Sequence, residues 1–313
     1  MRSQKSDKPK NAYKDKKQKH GYNIIYKVSE GGNLMRKLAL TFLACGLGVS
    51  SAFAETGFKL RETSFSLSVR DFSWKETIDG KKMVHEKGKL YGIAGEEERR
   101  LFGTVDYRLR GEIYGGRVDY KGHAVEPDTG DVYPITTKTT YLVFDAENSF
   151  GRKFMFKQGN ADISIFPYVG LGVHFWFRES DDAEYIDENG RPQVASGYLE
   201  VYRVIYSPIG LQTRLKYKGV DITLYGQYHY NFFIREKVDI GNGATLKPKR
   251  GNAYRIGAKV GYKRFFAEVF YDYMHLKKSN TVTVEDKLSG TSLDIYQPDS
   301  KRKMVGVNVG IRF

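Results

Sequence analysis

Between residues 55 and 313 apolar and polar positions alternate with a period of two, and no stretch of useful length carries a helical period. In "DITLYGQYHYNFFIR", Ile222, Leu224, Gly226, Tyr228, Tyr230, Phe232 and Ile234 fall on one side, and Asp221, Thr223, Tyr225, Gln227, His229, Asn231, Phe233 and Arg235 on the other. "LFGTVDYRLRGEIYGG" sorts the same way, as does the closing "KRKMVGVNVGIRF". A strand sends successive side chains to opposite faces, so each run predicts a long strand with two unlike surfaces.

Ten strands are expected, near 63–76, 86–97, 101–121, 137–149, 162–178, 197–213, 221–236, 252–262, 264–277 and 301–313. Their connections alternate. Long polar segments such as "ETIDGKKMVHEKG" and "ESDDAEYIDENGRPQVAS" follow the odd strands, and short ones such as "EEERR", "LKYKGV" and "YKR" follow the even strands. The fourth-to-fifth connection, "NSFGRKFMFKQGNA", is too long for this scheme and leaves eight or twelve strands as alternatives.

Period two also fits a soluble sandwich, whose strands are usually 5–6 residues long. Runs of 14 residues, with 23 Tyr and 19 Phe in the chain, point elsewhere. Membrane β-barrels place apolar side chains outward between aromatic girdles and polar ones inward, and closure leaves no strand edge in lipid. Such a layout accommodates a mean hydropathy of −0.52. The fold class expected is all-β: a closed antiparallel transmembrane barrel in residues 55–313, with long loops outside and short turns in the periplasm.

The N-terminal region agrees. "MRKLALTFLACGLGVSSAFAET" begins at Met35 with Arg36 and Lys37, continues with an apolar stretch, and ends on Ala52-Phe53-Ala54 before Glu55. This is the layout of a secretory signal peptide over 35–54, with cleavage at Ala52, Ala54 and Glu55. The apolar stretch is shorter than the roughly 20 residues of a membrane-spanning helix. Residues 1–34 read as an extension upstream of the native start, because Ser29-Glu30-Gly31-Gly32 can be encoded by a purine-rich ribosome-binding sequence before Met35. Residues 1–34 (nine Lys/Arg, three Asp/Glu) and Arg36/Lys37 supply +8 of the formal +14, so residues 55–313 carry +6. That charge, on a chain rich in both signs, argues against nucleic acid as a partner. Cys45, the one cysteine, precedes the cleavage site, so disulfides do not stabilise the exported chain.

The terminal strand ends on Val309, Ile311 and Phe313, which resembles the C-terminal assembly signal of Gram-negative outer-membrane proteins. With the signal peptide and the alternating loops, the chain resembles the small outer-membrane β-barrel proteins, and its strand count is similar to the omptin-type and adhesin-type ten-stranded barrels. "FPYVGLGVHFWF" is similar to a strand common in that group. The resemblance implies an outer-membrane location in a Gram-negative cell, contact with outer-membrane lipid and lipopolysaccharide, use of the barrel-assembly machinery, and a monomer.

The inward positions carry both signs: Arg70, Asp106, Arg108, Arg110, Glu112, Asp145, Glu147, Asp221, Arg255, Lys259, Glu268 and Asp272, with His174 and His229. Barrels of about eight strands are just filled by side chains, so mixed charges in ten strands should pair and plug the lumen. A narrow path for ions or small solutes is the alternative. Omptin-type barrels are proteases that use an Asp pair and an Asp-x-His unit. None of His85, His123, His174, His229 or His275 has Asp two residues before it, and Asp181-Asp182 lacks a matching His. His275 and Ser279 have the residue types of a lipid-modifying site without its spacing. No metal or cofactor motif is present, and "DENG" reads as a turn. The expectation is a non-enzymatic barrel that displays its loops, for envelope structure, adhesion or surface binding; beside the narrow path, an omptin-like protease with a degenerate site is the further alternative.

Overall fold

The computed structural model describes residues 59–125, 131–285 and 292–313. The proposed extension, signal peptide and cleavage residues Ala52, Ala54 and Glu55 lie outside these. Ten long strands form one closed antiparallel barrel: β1 (Lys59–Ile78), β2 (Lys81–Leu101), β3 (Val105–Val125), β4 (Val132–Gly151), β6 (Ala161–Ser180), β9 (Leu199–Tyr217), β10 (Val220–Val238), β12 (Lys249–Tyr262), β13 (Phe265–Lys277) and β16 (Asp299–Arg312). Short strands lie in the connections: β5 (Phe154–Gln158), β7 (Ala183–Ile186), β8 (Pro192–Ala195), β11 (Ala244–Leu246), β14 (Val282–Glu285) and β15 (Ser292–Ile295).

Closure is made by β16 on β1, in register from Ser64↔Arg312 to Thr77↔Asp299. The backbone N–H of Phe313 donates to Thr63 O at 2.8 Å. β16 is the seam strand, and its last residues are paired to β1. Val309, Ile311 and Phe313 all face outward and are exposed.

Following the register around the barrel from Ile165 leads through Thr213, Leu224, Ala258, Val269, Val307, Val69, Tyr91, Gly115 and Leu142 to Phe177 on the starting strand, twelve residues displaced. That stagger on ten strands corresponds to a tilt of about 40°. Outward side chains along this lattice form an apolar band about ten residues deep, roughly 25 Å for strands so tilted. Phe65, Leu67 and Val69, Ile222 and Leu224, and Val305, Val307 and Val309 belong to it. Tyr217, Tyr262, Phe265 and Phe313 mark its turn end, and Tyr91, Tyr230 and Phe232 its loop end.

The strands differ from expectation in length. "ETIDGKKMVHEKG" is not a loop: β1 and β2 continue through it and meet in a two-residue turn, Asp79-Gly80, with φ of 49° and 78°. Both angles are positive, the requirement of the hairpin turn that matches strand twist, and Asp-Gly meets it readily. "EEERR" is the last part of β2, with the turn at 102–104. "NSFGRKFMFKQGNA" hides no strand pair. β5 continues β4 along the same edge of β6 after a break at Arg152 and Lys153, and the chain turns at Gly159. The pattern underestimated these strands because beyond the band both faces are polar or mixed, so the outward apolar signal stops where the strand does not.

Inside, aromatic rings rest on glycines of neighbouring strands. A Cβ on Gly306 would fall within the Phe270 ring, one on Gly310 would meet Phe266, and one on Gly172 would meet Tyr206.

Candidate functional site

The barrel interior is where the chain concentrates its buried ionisable groups, and it is stacked in layers. At the turn end, Arg214 reaches Glu98 (3.2 Å), which also accepts from Lys153 (2.8 Å). Arg100 holds Asp106 (3.1 Å) and Arg312 holds Asp221 (2.6 Å).

The middle layer crosses the lumen. Arg108 donates to Gln212 (2.9 Å) and Glu147 (3.2 Å), whose carboxylate also accepts from Tyr206 (3.2 Å) and Gln227 (2.7 Å). Glu112 accepts from Arg70 (2.8 Å) and Arg110 (2.6 Å) and lies 3.1 Å from Arg255. Lys259 pairs with Glu96 (3.2 Å), Tyr225 bonds Glu268, and Arg302 binds Asp272 (2.8 Å) and His174, which also meets Asp145. Guanidiniums stack on rings here: Arg70 over Tyr114 at 3.6 Å and Arg255 over Phe270 at 3.9 Å. The space left over, lined by Glu147, His174, His229, Asp272 and Arg302 among others, is about 20 Å³. It has room for about one water.

Every position expected in the lumen network points inward, and the network is larger than expected. It also takes in Glu96, Glu98, Arg214 and Arg302. Those residues continue the inward alternation of their strands; assigning 96–100 to a turn concealed Glu96 and Glu98, ending a strand at 213 excluded Arg214, and Arg302 lay within the expected strand 301–313 but was left off the inward list.

Towards the loop end the lumen turns apolar, contrary to a charged interior throughout. Trp176 stacks on Tyr202 (4.2 Å, 11°), Trp74 packs edge-on to both, and Phe72, Leu90, Val143, Val204, Met274 and Met304 fill around them. Above this plug lies a second buried charge cluster. Arg178 donates to Glu86 (2.6 Å) and Glu200 (2.6 Å) and is 3.8 Å from Glu76, and Glu236 lies beside Glu200 and Tyr202. Trp74 Nε1 donates to Glu76 (2.8 Å), Tyr202 to Glu200 (2.9 Å), and Tyr141 to Glu86. An apolar cap of Tyr198, Val238, Ile240, Leu246, Val284 and Ile295 is drawn from the connections at this end.

The candidate catalytic residues are kept apart. His275 faces outward and bonds Asp299 (2.9 Å), while Ser279 donates to Asn280 O (2.7 Å) and accepts from the Gln297 N–H. Asp181 pairs with Arg117, and Asp182 accepts from Gly197 N–H (2.7 Å). "DENG" is the turn between β7 and β8. Asp187 accepts the N–H groups of Arg191 (2.8 Å) and Asn189 (2.9 Å), which, with the Arg191 bond foremost, hold its carboxyl below the usual aspartate range.

No family model and no curated protein matches the sequence. Among solved structures, the outer membrane protease OmpT from Escherichia coli superposes with a TM-score of 0.52 at 10% identity, covering 83% of this chain and 99% of that one. Ail, the attachment invasion locus protein of Yersinia pestis (TM-score 0.26, 12% identity, 82% and 99% covered), and the Ralstonia pickettii toluene transporter TbuX (0.33, 11%, 82% and 89%) are more distant. At 10% identity the likeness to OmpT is one of fold, a closed antiparallel barrel, here of ten long strands.

Proposed function

We propose that the protein is a sealed, non-enzymatic outer-membrane barrel that serves as a rigid support for its loop end. The observation that carries this reading is the filling of the lumen from its middle layer to the loop end: ion-paired groups with about 20 Å³ left over, then the Trp74–Trp176–Tyr202 plug, then Arg178 and its carboxylates. A solute path would have to displace buried, mutually bonded charges, and each uncompensated one costs several kcal/mol. The chemistry of the loop end supports display over hydrolysis, since His275, Ser279, Asp181 and Asp182 are each engaged elsewhere.

Under this reading the apolar band sits in the outer membrane, the turn end faces the periplasm, and the β7–β8 and β14–β15 hairpins face outside, where adhesion or surface binding would occur. Conductance across a planar bilayer holding the folded protein tests it. A silent bilayer is expected. Discrete, reproducible steps would overturn the sealed reading in favour of a narrow channel.

A further inference from the structure

Four buried carboxylates and one guanidinium meet above the aromatic plug. Glu76, Glu86, Glu200 and Glu236 are no more than 3% exposed. Arg178 directs its donors to Glu86 and Glu200 and stands 3.8 Å from Glu76. Among the described residues Glu236 has no ion pair. Its partners are neutral. Tyr202 borders both Glu236 and Glu200 and donates its one hydroxyl proton to Glu200 (2.9 Å). With its amide nitrogen turned to Glu236, Gln297 stands 2.9 and 3.3 Å from the two carboxylate oxygens, and its own oxygen accepts from Ser300 (2.6 Å).

The remaining strands bring no second cation to the group. Tyr120 on β3, Tyr141 on β4 and Tyr198 ahead of β9 face it, and burial raises these hydroxyls and that of Tyr202 above the ordinary tyrosine range, so they stay neutral. β12 and β13 contribute Ala253, Met274 and Leu276. Arg302 on β16 lies against Trp176 and is bonded to Asp272. Neighbouring carboxylates and burial each disfavour ionisation. Four negative charges against one positive therefore retain a proton, and the position without a cation of its own is Glu236, with Glu200 across Tyr202. Burial, with Glu200 and Glu76 close by, raises the Glu236 carboxyl, and burial raises Glu200 against the pull of Arg178. The pair lies beyond the apolar band, with Glu236 four residues past Phe232.

The pair is built into the cap. Glu236 stands opposite Leu246 of β11 and two residues before Val238, and Glu200 comes two residues after Tyr198. Gln297 closes the base of the β14–β15 hairpin: its N–H donates to Ser279 Oγ (2.9 Å), and its carbonyl accepts from the Ser279 N–H (3.0 Å). A change of charge at Glu236 acts on one hairpin through Leu246 and on the other through Gln297.

We propose that the loop-end cap is a proton latch: a proton held between Glu200 and Glu236 keeps it closed, and release of that proton to solvent loosens the β10–β11 and β14–β15 hairpins. An acid raised in the folded state contributes order below its ordinary value and loses it as pH rises through the folded one. The cap is therefore tight in acid and looser in base. Between the ordinary glutamate value of 4.5 and the raised one, each opening releases one proton, so the opening equilibrium grows by up to about tenfold per pH unit. The ion-paired middle layer below stays in place, so the latch and the sealed lumen are separate properties.

The test uses the full chain folded in detergent, titrated from about pH 5 to about pH 8. Amide hydrogen exchange is read at Val238, Leu246, Val284 and Ile295 after correction for intrinsic rates, and infrared spectra of the same samples read the carbonyl stretch of a protonated carboxyl. Exchange at the cap is expected to rise at least about tenfold across the range while the protonated-carboxyl signal is lost. Glu236→Gln should remove both changes and keep the cap closed, and Glu184→Gln on the exposed β7–β8 hairpin should retain both. Cap exchange that follows intrinsic rates alone, absence of a protonated carboxyl at the acid end, or a step that survives in both Glu236→Gln and Glu200→Gln overturns the proposal. Heat-dependent gel mobility establishes that each variant is folded, and the unmodified chain decides the first two outcomes without any variant.

Discussion

Arg178 and Glu86 meet in the closed loop end of the barrel, Nη2 2.6 Å and Nε 3.0 Å from the same carboxylate oxygen, and neither side chain has any solvent exposure. They lie on β6 and β2, strands separated in the sheet by β3 and β4, so the pair braces the barrel across its interior rather than along one hairpin.

Removing the cation from this pair leaves Glu86, Glu200 and Glu76 buried around an empty position. Arg178→Met is expected to lower stability by about 3–5 kcal/mol, measured by urea unfolding in detergent with tryptophan fluorescence. Burial, with Glu200 and Glu76 close by, raises the Glu236 carboxyl well above the usual range, so it favours the neutral form. Glu236→Gln is therefore expected to cost under about 1 kcal/mol or to be neutral, since an uncharged isostere keeps the hydrogen-bonding shape. A large loss in Glu236→Gln would mean that the cluster needs all four carboxylates.

Arg108→Ala with Arg110→Ala opens space in the middle layer but leaves the Trp74–Trp176–Tyr202 plug in place. The double variant is expected to be less stable and still silent in a planar bilayer. Conductance in this variant alone would show that the plug does not seal.

Gly306 receives the Phe270 ring, and Phe270 in turn carries the Arg255 guanidinium on its face. Gly306→Val is expected to cost about 1–3 kcal/mol through overpacking. Combining it with Phe270→Leu should recover part of that loss, because the two side chains compete for one volume. Folded fraction by gel mobility after refolding reads both.

The β7–β8 turn depends on an ionised Asp187, whose folded-state carboxyl is held below its ordinary value of 3.8. A lowered acid contributes order above the unfolded value and loses it as pH falls through the folded one. Amide hydrogen exchange at Asn189 and Arg191 should therefore speed up on acidification below about pH 4, relative to neighbouring strands and after correction for intrinsic rates. Asp187→Asn should remove the pH step.

The inward placement of Arg108, Glu112, Glu147, Arg255 and Asp272 was legible because a period of two leaves each strand one choice of faces once the apolar side is assigned to lipid. Strand ends were less legible. At Asp79-Gly80 the turn signal was present but lay inside a run of charged residues that reads as loop, and Glu96 and Glu98 were hidden the same way.

By itself the sequence determined the class of fold, the ten-strand count as its leading reading, the closing strand over 301–313, and the inward face of the middle-layer charges such as Arg108, Glu112 and Asp272. All of these follow from local alternation and turn spacing. Only the tertiary structure decided the pairing across the lumen and the aromatic plug. These depend on the twelve-residue stagger that sets which heights on non-adjacent strands coincide. Arg178 finds Glu86 through the tilt and stagger of the strands between them, and no local pattern along the chain encodes that distance.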